Sequence, residues 1–288
     1  MDHYIFFDPS AKEPNYYQYD SPLQTSDGLR IELGDWRGRG GNGSVYQCVD
    51  VSSGEELAVK FLLVLSPQRR QRFQREVALL RQLKSDHTIR YRGEGVVRAK
   101  RSGKESLVEI PFLVMDLADN NLFNLVKSRK NGLPYEEYSG QFRGLCSALA
   151  ELHGIAIHRD IKPENILVLG GRWLLSDYGL CTAVDDLGPD LTGEMEIMGP
   201  KFWLCPEAHN RRIGCGDEIT RASDVYQLAA IFWYAVTGRH PSGNLAASDW
   251  TGPEKLFTLV ADSLRHDSSK RPQDGDMLLR ALEESLLS

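Results

Sequence analysis

The sequence lacks the compositional extremes that mark several protein classes. No residue type is in excess in the 288-residue chain and no low-complexity run interrupts it, which argues against collagen-like, fibrous and disordered proteins. No internal repeat of solenoid length occurs. The formal net charge of −6 is too small to indicate nucleic acid or an anionic membrane as the partner. These absences leave an ordinary globular protein.

Paired cysteines and long apolar runs are also missing. The cysteines number five, lie far apart and lack metal-ligand spacing, so we expect free thiols in a reducing compartment. The longest apolar stretch, residues 225–236, contains Gln227 and is too short to span a bilayer, so it predicts a buried helix. No basic segment followed by an apolar one begins the chain. We therefore expect a soluble cytoplasmic protein.

The hydrophobic pattern predicts an α+β protein whose first part is rich in strands. Residues 1–27 show no clear hydrophobic period and are interpreted as an N-terminal extension. Short alternating segments between Leu29 and Leu65 predict antiparallel strands, and Pro67 begins a helical stretch. An apolar strand follows at residues 111–117. Beyond it the helical period predicts helices at 135–153, 224–237, 254–264 and 276–287.

A glycine-rich segment separates two of the predicted strands. Residues 38–45 fit the pattern G-x-G-x-x-G-x-V, in which glycines let the backbone approach phosphate oxygens and present N–H groups to them. A glycine-rich hairpin turn is an equal alternative. A strand follows rather than a helix, which argues against a Rossmann dinucleotide site. The candidate phosphate-binding residues are Gly38, Gly40, Gly41, Gly43 and Val45.

Two charged residues occupy positions where apolar side chains are expected. Lys60 lies on an apolar strand, and Glu76 shares a helical stripe with Phe73, Val77 and Leu80. A buried acid is costly unless a cation pairs with it. An edge carboxylate and a lysine that reaches water are the simpler alternatives. A Lys60–Glu76 pair, with the lysine turned toward nucleotide phosphates, would satisfy both charges.

The most specific motif is His-Arg-Asp-Ile-Lys-Pro-Glu-Asn at residues 158–165, before an apolar strand. In it, Asp160 can accept the proton of a substrate hydroxyl, Lys162 can neutralise a moving phosphoryl group and Asn165 can bind Mg²⁺. Asp177 then stands at a strand end before Tyr and Gly, a pattern that by itself predicts a turn. Its distance from Asp160 favours a second Mg²⁺ ligand instead.

Taken in order, these motifs resemble those of the eukaryotic-type protein kinase superfamily, and the resemblance covers nearly the whole chain beyond the first thirty or so residues. It implies a bilobal protein-kinase fold in a catalytic domain of residues 28–288. The small β-rich N-lobe, with one main helix, is expected at 28–117 and the larger α-helical C-lobe at 118–288. Fold markers support the likeness: residues 205–207 resemble A-P-E, Asp224 resembles the Asp of D-x-W, and Arg271 resembles the partner of Glu207.

The resemblance also implies the activity and its residues. We expect transfer of the γ-phosphoryl group of ATP to Ser/Thr hydroxyls of protein substrates, with autophosphorylation as a further expectation and with Mg²⁺, or Mn²⁺ in its place. Neither nucleic acid nor a membrane is expected as a partner, and the oligomeric state is open. The implied catalytic residues are Lys60, Glu76, Asp160, Lys162, Asn165 and Asp177, the last two being the metal ligands. The implied nucleotide contacts beyond the glycines, Val45 and Lys60 are Ala58, Met115, Asp116, Ala118 and Leu167.

The sequence gives conflicting signals on the acceptor and leaves other functions open. Lys162 resembles the serine/threonine branch, whereas Pro200 within residues 199–203 resembles the tyrosine branch; we favour Ser/Thr, with a dual-specificity or tyrosine-directed kinase as alternatives. A pseudokinase scaffold is disfavoured because all the catalytic residues are present. A phosphotransferase acting on small molecules or nucleic acid is a further alternative. Finally, the resemblance implies that Arg159 binds an anion, and Glu196 is predicted to supply it in place of a phosphate. A solvated acidic loop is the alternative.

Overall fold

A computed structural model describes residues 3–12, 15–20, 22–40, 43–183 and 202–287. The chain divides into two compact units. The first comprises Met1–Gln82 and Arg90–Ala118, and the second comprises Leu83–Ile89 and Asp119–Ser288.

An antiparallel sheet forms most of the first unit. Its eight described strands are β1 His3–Phe6, β2 Tyr16–Tyr19, β3 Leu23–Gln24, β4 Arg30–Gly40, β5 Gly43–Asp50, β6 Glu56–Leu62, β7 Tyr91–Arg101 and β8 Leu107–Asp116. They lie side by side in the order β1-β2-β7-β8-β6-β5-β4-β3. From Ser44 onward every second residue of β5 is buried, as the two-residue period of a strand with one core-facing side requires. The strands predicted between Leu29 and Leu65 and at 111–117 are thereby confirmed.

The single long helix of the first unit, among the residues described there, is α1, Pro67–Gln82. Proline suits the first helical turn because its missing N–H would have no partner there. The predicted apolar stripe is confirmed, since Phe73, Val77 and Leu80 are buried. Glu76 is buried with them, at 4% exposure. An acid in that position needs a cationic partner.

The segment interpreted as an N-terminal extension contributes β1, β2 and β3 to the same sheet. Its residues Ile5, Tyr17, Tyr19 and Leu23 belong to the buried core of the unit. The sequence analysis missed these strands because β2 carries tyrosines on both faces: Tyr16 is half-buried and Tyr17 is fully buried. The alternation of polar and apolar residues that signals a strand is therefore absent.

Helices form most of the second unit. Its described helices are α2 Leu122–Lys127, α3 Tyr135–His153, α4 Pro206–Arg212, α5 Arg221–Thr237, α6 Glu254–Ser263 and α7 Gly275–Leu287. Its described strands are β9 Asn120–Asn121, β10 Ala156–Ile157, β11 Ile166–Leu169, β12 Arg172–Leu175 and β13 Thr182–Ala183. None of the described helices combines the length and hydropathy needed to cross a bilayer. The four helices predicted from periodicity are confirmed to within a few residues at their ends.

Helix α5 lies at the centre of the second unit. All of its residues except Arg221 and Tyr226 are buried. Phe232 stacks on Phe142 of α3 with 3.9 Å between the ring centres. A helix that is apolar on every side is stable only inside a core, which confirms the prediction of a buried helix at residues 225–236. The few polar side chains on this helix are consequently informative, since each must find a partner.

Candidate active site

The glycine-rich segment forms a hairpin between β4 and β5, in which Gly40 pairs with Gly43. Gly41 and Asn42, at its tip, lie outside the described residues. Packing constrains two of its glycines to very different degrees. A Cβ on Gly43 would lie 1.7 Å from the carbonyl oxygen of Phe61, whereas a Cβ on Gly38 would meet nothing within 4 Å. Packing therefore dictates Gly43, while the space beside Gly38 is open to a ligand.

The lysine predicted to contact phosphates lies on β6, directly opposite Val45 of the glycine hairpin. Its Nζ is 2.6 Å from Oε1 of Glu76, and the two side chains are 13% and 5% exposed. The Lys60–Glu76 pair is thus present in this unit, and the alternatives of a solvent-facing lysine and an edge carboxylate are wrong. The pair fixes the ammonium group at the inner face of the strand.

The predicted adenine contacts in the first unit cluster at the end of β8. Met115 is buried and lies opposite Ala58 of β6. Asp116 ends the strand, and its Oδ1 accepts a hydrogen bond of 2.6 Å from Nε of Arg92. Ala118 follows two residues later and is half-buried. Leu167, the remaining predicted contact, lies on β11 of the second unit. Contact of these residues with a nucleotide stays a prediction.

In the loop of residues 158–165, the predicted residues Lys162 and Asn165 both contact the carboxylate of Asp160. Oδ2 of Asp160 accepts hydrogen bonds from Nζ of Lys162 at 2.9 Å and from Nδ2 of Asn165 at 3.0 Å. Oδ1 of Asp160 is buried and has no hydrogen-bond partner among the described residues. Burial raises the pKa of Asp160, and the charge of Lys162 opposes that effect. Oδ1 of Asp160 is thus available to accept a hydrogen bond.

The backbone of this loop is strained and is held in place by α5. Arg159 has φ of 71°, a left-handed conformation that is costly for a residue other than glycine. Asp224 stabilises it, because its Oδ1 accepts the N–H of Arg159 at 2.8 Å and its Oδ2 accepts that of His158 at 2.6 Å. His153 Nδ1 accepts the N–H of Gly275 at 2.9 Å, so its Nε2 carries the proton and donates to Oδ2 of Asp224 at 3.1 Å.

A second polar residue of α5 supports the same loop. Oε1 of Gln227 accepts the N–H of Ile161 at 3.2 Å, and its Nε2 donates to the carbonyl oxygen of Trp203 at 3.2 Å. Sequence analysis noted Asp224 only as a fold marker and Gln227 only as an interruption of an apolar run. The available signal was that both are polar residues within a helix otherwise apolar on every side, where an unpaired polar group is not tolerated.

Asp177 stands at the start of a short 3-10 turn, Tyr178–Leu180, with φ of 62°. Tyr178 is fully buried, and its hydroxyl donates to the carbonyl oxygen of Leu175 at 3.0 Å. Among the described residues, no group of three or more His, Cys, Asp or Glu side chains could hold a metal ion. The two ligands predicted from the sequence, Asp177 and Asn165, offer one carboxylate and one amide, and their contact with a metal stays a prediction. Oxygen donors of this kind suit a hard cation that keeps other ligands of its own.

The segment after residue 183 is described only from Phe202 onward. Arg159, for which an anionic partner was predicted, places its Nη1 in contact with Oγ1 of Thr182. Glu196, the proposed partner, and Pro200, the residue typical of the tyrosine branch, lie outside the described residues. Both interpretations therefore stay predictions.

Comparison with known proteins assigns the family. The profile described as protein kinase domain matches residues 32–282. The chain belongs to the protein kinase family. This confirms the predicted α+β fold class, with a β-rich unit carrying one main helix and an α-helical unit.

Several bacterial protein kinases resemble this chain along most of its length. Serine/threonine-protein kinase A of Synechocystis sp. is 29% identical over 292 residues, which cover 88% of this chain and 53% of that relative. A probable serine/threonine-protein kinase of Streptomyces coelicolor is 31% identical over 222 residues, covering 74% and 31%. Serine/threonine-protein kinase PknA of Mycobacterium tuberculosis is 29% identical over 207 residues, covering 70% and 45%. This kinase chain thus spans about a third to about half the length of these relatives.

The predicted ion pair between Arg271 and Glu207 lies within the second unit. Nη2 of Arg271 lies 2.7 Å from Oε1 of Glu207, with side-chain exposures of 0% and 7%. The guanidinium also donates to the carbonyl oxygens of Ala222, Arg265 and His266. The pair inferred from the resemblance is confirmed. Beside it, burial raises the pKa of the Cys205 thiol to about 12, so this cysteine stays neutral and acts as a small apolar group.

Proposed function

We propose that this chain transfers the γ-phosphoryl group of ATP to serine and threonine hydroxyls of protein substrates. The observation that carries the proposal is the buried Oδ1 of Asp160, which accepts no hydrogen bond from any described residue. Leaving a buried acceptor in this state costs about 1–3 kcal/mol, so the atom is kept for a donor from outside the chain. A substrate hydroxyl is such a donor. The raised pKa of Asp160 suits a group that takes up a proton during the reaction.

Two lysines and the glycine hairpin are proposed to act on the phosphates. The ammonium group of Lys162, 2.9 Å from Asp160, supplies positive charge beside the acceptor, where negative charge spreads over the transferred oxygens. Lys60, held by Glu76, orients the α and β phosphates. The hairpin from Gly38 to Val45, with Gly40, Gly41 and Gly43, is proposed to present backbone N–H groups to them, and the open space beside Gly38 supports this role.

Asn165 and Asp177 are proposed to bind the divalent cation, Mg²⁺ with Mn²⁺ as an alternative. Nδ2 of Asn165 is engaged by Asp160, which leaves the amide oxygen as the atom available for a metal. Mg²⁺ commonly takes one or two protein ligands and completes its octahedron with phosphate oxygens and waters. When bound, the cation supplies positive charge to the phosphates. The oxygen donors present fit this requirement.

The adenine ring is proposed to bind against Ala58 and Met115, with hydrogen bonds to the backbone at Asp116 and Ala118. Ala58 and Met115 lie opposite each other on neighbouring strands and both are apolar and buried, which suits an apolar lining for a ligand ring. The Arg92–Asp116 contact holds the backbone at the end of β8. This assignment also follows from the positions that these residues occupy relative to the family motifs.

Serine and threonine are proposed as the acceptors because of Lys162. Its Nζ donates to Oδ2 of Asp160, so its charge lies beside the carboxylate that is proposed to receive the hydroxyl proton. This lysine is the feature that resembles the serine/threonine branch. The names of the similar bacterial proteins agree with that choice. The substrates themselves are expected to be proteins.

The test is incubation with γ-labelled ATP, Mg²⁺ and three peptide libraries that offer only Ser, only Thr or only Tyr as the acceptor. We expect label in the Ser and Thr libraries, and mass spectrometry of the chain itself reports autophosphorylation. Asp160→Asn should abolish transfer to peptides. Asp86→Asn, which alters a carboxylate with 74% side-chain exposure, should not.

The same experiment separates the alternatives. Nucleotide binding without transfer to peptides or to the chain itself would favour a pseudokinase scaffold. Label confined to the Tyr library would correct the acceptor class. Transfer to small molecules or nucleic acid, measured with labelled extracts from which proteins have been removed, would favour a different phosphotransferase. Full activity in a folded Asp160→Asn protein would contradict the assigned base.

A further inference from the structure

Ser44 joins the glycine hairpin to the N-terminal segment. It follows Gly43 in β5 and is fully buried. Its Oγ lies 2.8 Å from the carbonyl oxygen of Phe6 and 2.7 Å from that of Phe7. A hydroxyl has one proton to donate, so the two carbonyls share it. The base of the hairpin is therefore tied to a strand that precedes it by nearly forty positions.

The end of β1 is anchored at this point by more than Ser44. The N–H of Phe6 donates to the hydroxyl of Tyr46 at 2.7 Å, and Tyr46 is buried. The ring of Phe7 stacks on Tyr17 with 5.5 Å between centres, and the Arg101 guanidinium lies 5.7 Å from the centre of the same ring. These contacts fix Phe6 and Phe7 on both sides. A segment held in this way can restrain what is bonded to it.

The opposite side of the hairpin base is equally confined. Gly43 packs so closely on β6 that a Cβ would lie 1.7 Å from the carbonyl oxygen of Phe61, the residue after Lys60. The hairpin base is thus fixed by β6 on one side and by Phe6–Phe7 on the other. A base that is fixed in this way holds the N–H groups of the hairpin in a constant orientation.

We propose that strand β1 positions the glycine hairpin for nucleotide phosphates, and that Ser44 is the positioning residue through which it acts. This inference rests on the proposed function. Because the hairpin is proposed to contact phosphates and not the base, loss of the Ser44 hydroxyl weakens binding of ATP and leaves binding of adenosine unchanged. A hydrogen bond that merely stabilised the sheet would not distinguish these two ligands.

The first test measures dissociation constants of ATP and of adenosine, each with Mg²⁺, by titration calorimetry on the full chain. Ser44→Ala should weaken ATP binding about fivefold, the effect of about one net hydrogen bond, and change adenosine binding less than about twofold. Ser52→Ala is the matched control. Its hydroxyl, just beyond β5, donates to Asp50 at 2.8 Å, and its loss should affect neither ligand.

The second test uses Phe7→Ala, which loosens the other partner without touching the hairpin. It should reproduce the selective loss of ATP binding, and Ser44→Ala combined with Phe7→Ala should weaken binding by less than the product of the two single effects. If Ser44→Ala fails to fold, the affinities of Phe7→Ala for ATP and adenosine test the inference instead. Equal losses for ATP and adenosine, an unchanged ATP affinity, or independent effects in the double variant would each overturn the inference. Wild-type protein that binds neither ligand would overturn the proposed function and this inference with it.

Discussion

Each unit contains a buried ion pair, and the cations of the two pairs differ in their exposure and in their other contacts. In the first unit, Nζ of Lys60 meets Glu76 at 2.6 Å and the lysine keeps 13% of its side chain exposed. In the second, Arg271 meets Glu207 at 2.7 Å and its side chain is completely buried. Lysine offers a compact ammonium with rotatable donors, whereas arginine offers a rigid fork. The difference lies in what else each cation can reach.

The remaining donors of Arg271 are consumed inside the protein. They satisfy carbonyl oxygens of Ala222, Arg265 and His266, at the start of α5 and in the turn before Arg271. Removing this arginine would orphan a carboxylate and these carbonyls together. Lys60 lies instead on a strand beside the glycine hairpin, with part of its surface accessible. We infer that the first pair serves chemistry and the second serves stability.

The largest expected effect is that of Lys60→Met on activity. Peptide phosphorylation should fall at least about 10³-fold, because positioning and electrostatics supply most of the catalysis in phosphoryl transfer. The protein should stay folded, since methionine keeps an unbranched apolar chain of similar length at this position of β6. Initial rates and thermal melting test both statements.

Lys100→Met, at an exposed site on β7 of the same unit, is the control and should alter neither quantity. If Lys60→Met unfolded the protein at room temperature, the comparison between the two pairs would fail.

The next effect concerns Arg271→Ala. Its free energy of unfolding should fall by about 3 kcal/mol or more, because a buried carboxylate loses its cation and three carbonyls lose a donor. Urea denaturation measures this. Arg280→Ala, which removes an exposed pair with Asp276, should cost less than about 0.5 kcal/mol. A melting curve of Arg271→Ala identical to that of the wild type would remove the pair from the account of stability.

A smaller effect is expected from Arg271→Lys. The charge opposite Glu207 is retained, but a single ammonium cannot replace the planar fork that reaches three carbonyls. We expect the free energy of unfolding to fall by about 1–2 kcal/mol, which is less than in Arg271→Ala. The same denaturation series measures it. A loss as large as that of Arg271→Ala would mean that geometry, and not charge, accounts for the whole effect.

The smallest expected effect, a change in melting temperature, concerns a further buried charge, that of Asp160. Its pKa is raised by burial above the ordinary value of 3.8, so the folded protein holds this proton to higher pH than the unfolded chain does. The ionised carboxylate therefore destabilises the fold above the raised pKa, and this penalty disappears as the pH falls through that pKa to below 3.8. Asp160→Asn should melt slightly higher than the wild type at neutral pH.

This advantage of Asp160→Asn should shrink on acidification, as measured by calorimetric melting between neutral pH and pH values near the ordinary pKa of the carboxyl. Asp86→Asn, altering an exposed carboxylate, should show no comparable trend. A constant difference between Asp160→Asn and wild type at every pH would contradict the raised pKa.

The sequence by itself determined the features that depend on neighbours in the chain. Helix α3 begins and ends at the predicted residues, because the helical period is a local property of the apolar pattern. Asp160, Lys162 and Asn165 lie within one short loop, so their clustering follows from their spacing alone. The family motifs likewise stand in order along the chain, which is why the fold class could be predicted.

The tertiary structure decided most contacts between distant segments. The sequence pattern alone favoured an exposed edge carboxylate for Glu76, and only the folded structure shows it buried beside Lys60. The strands before residue 27 were missed because β2 lacks the alternation of polar and apolar residues that signals a strand. Only the sheet shows that β2 pairs with β7. The bonds from Asp224 to the loop of residues 158–165 and from Ser44 to Phe6 could not be predicted for the same physical reason: such partners are chosen by packing, which no local pattern encodes.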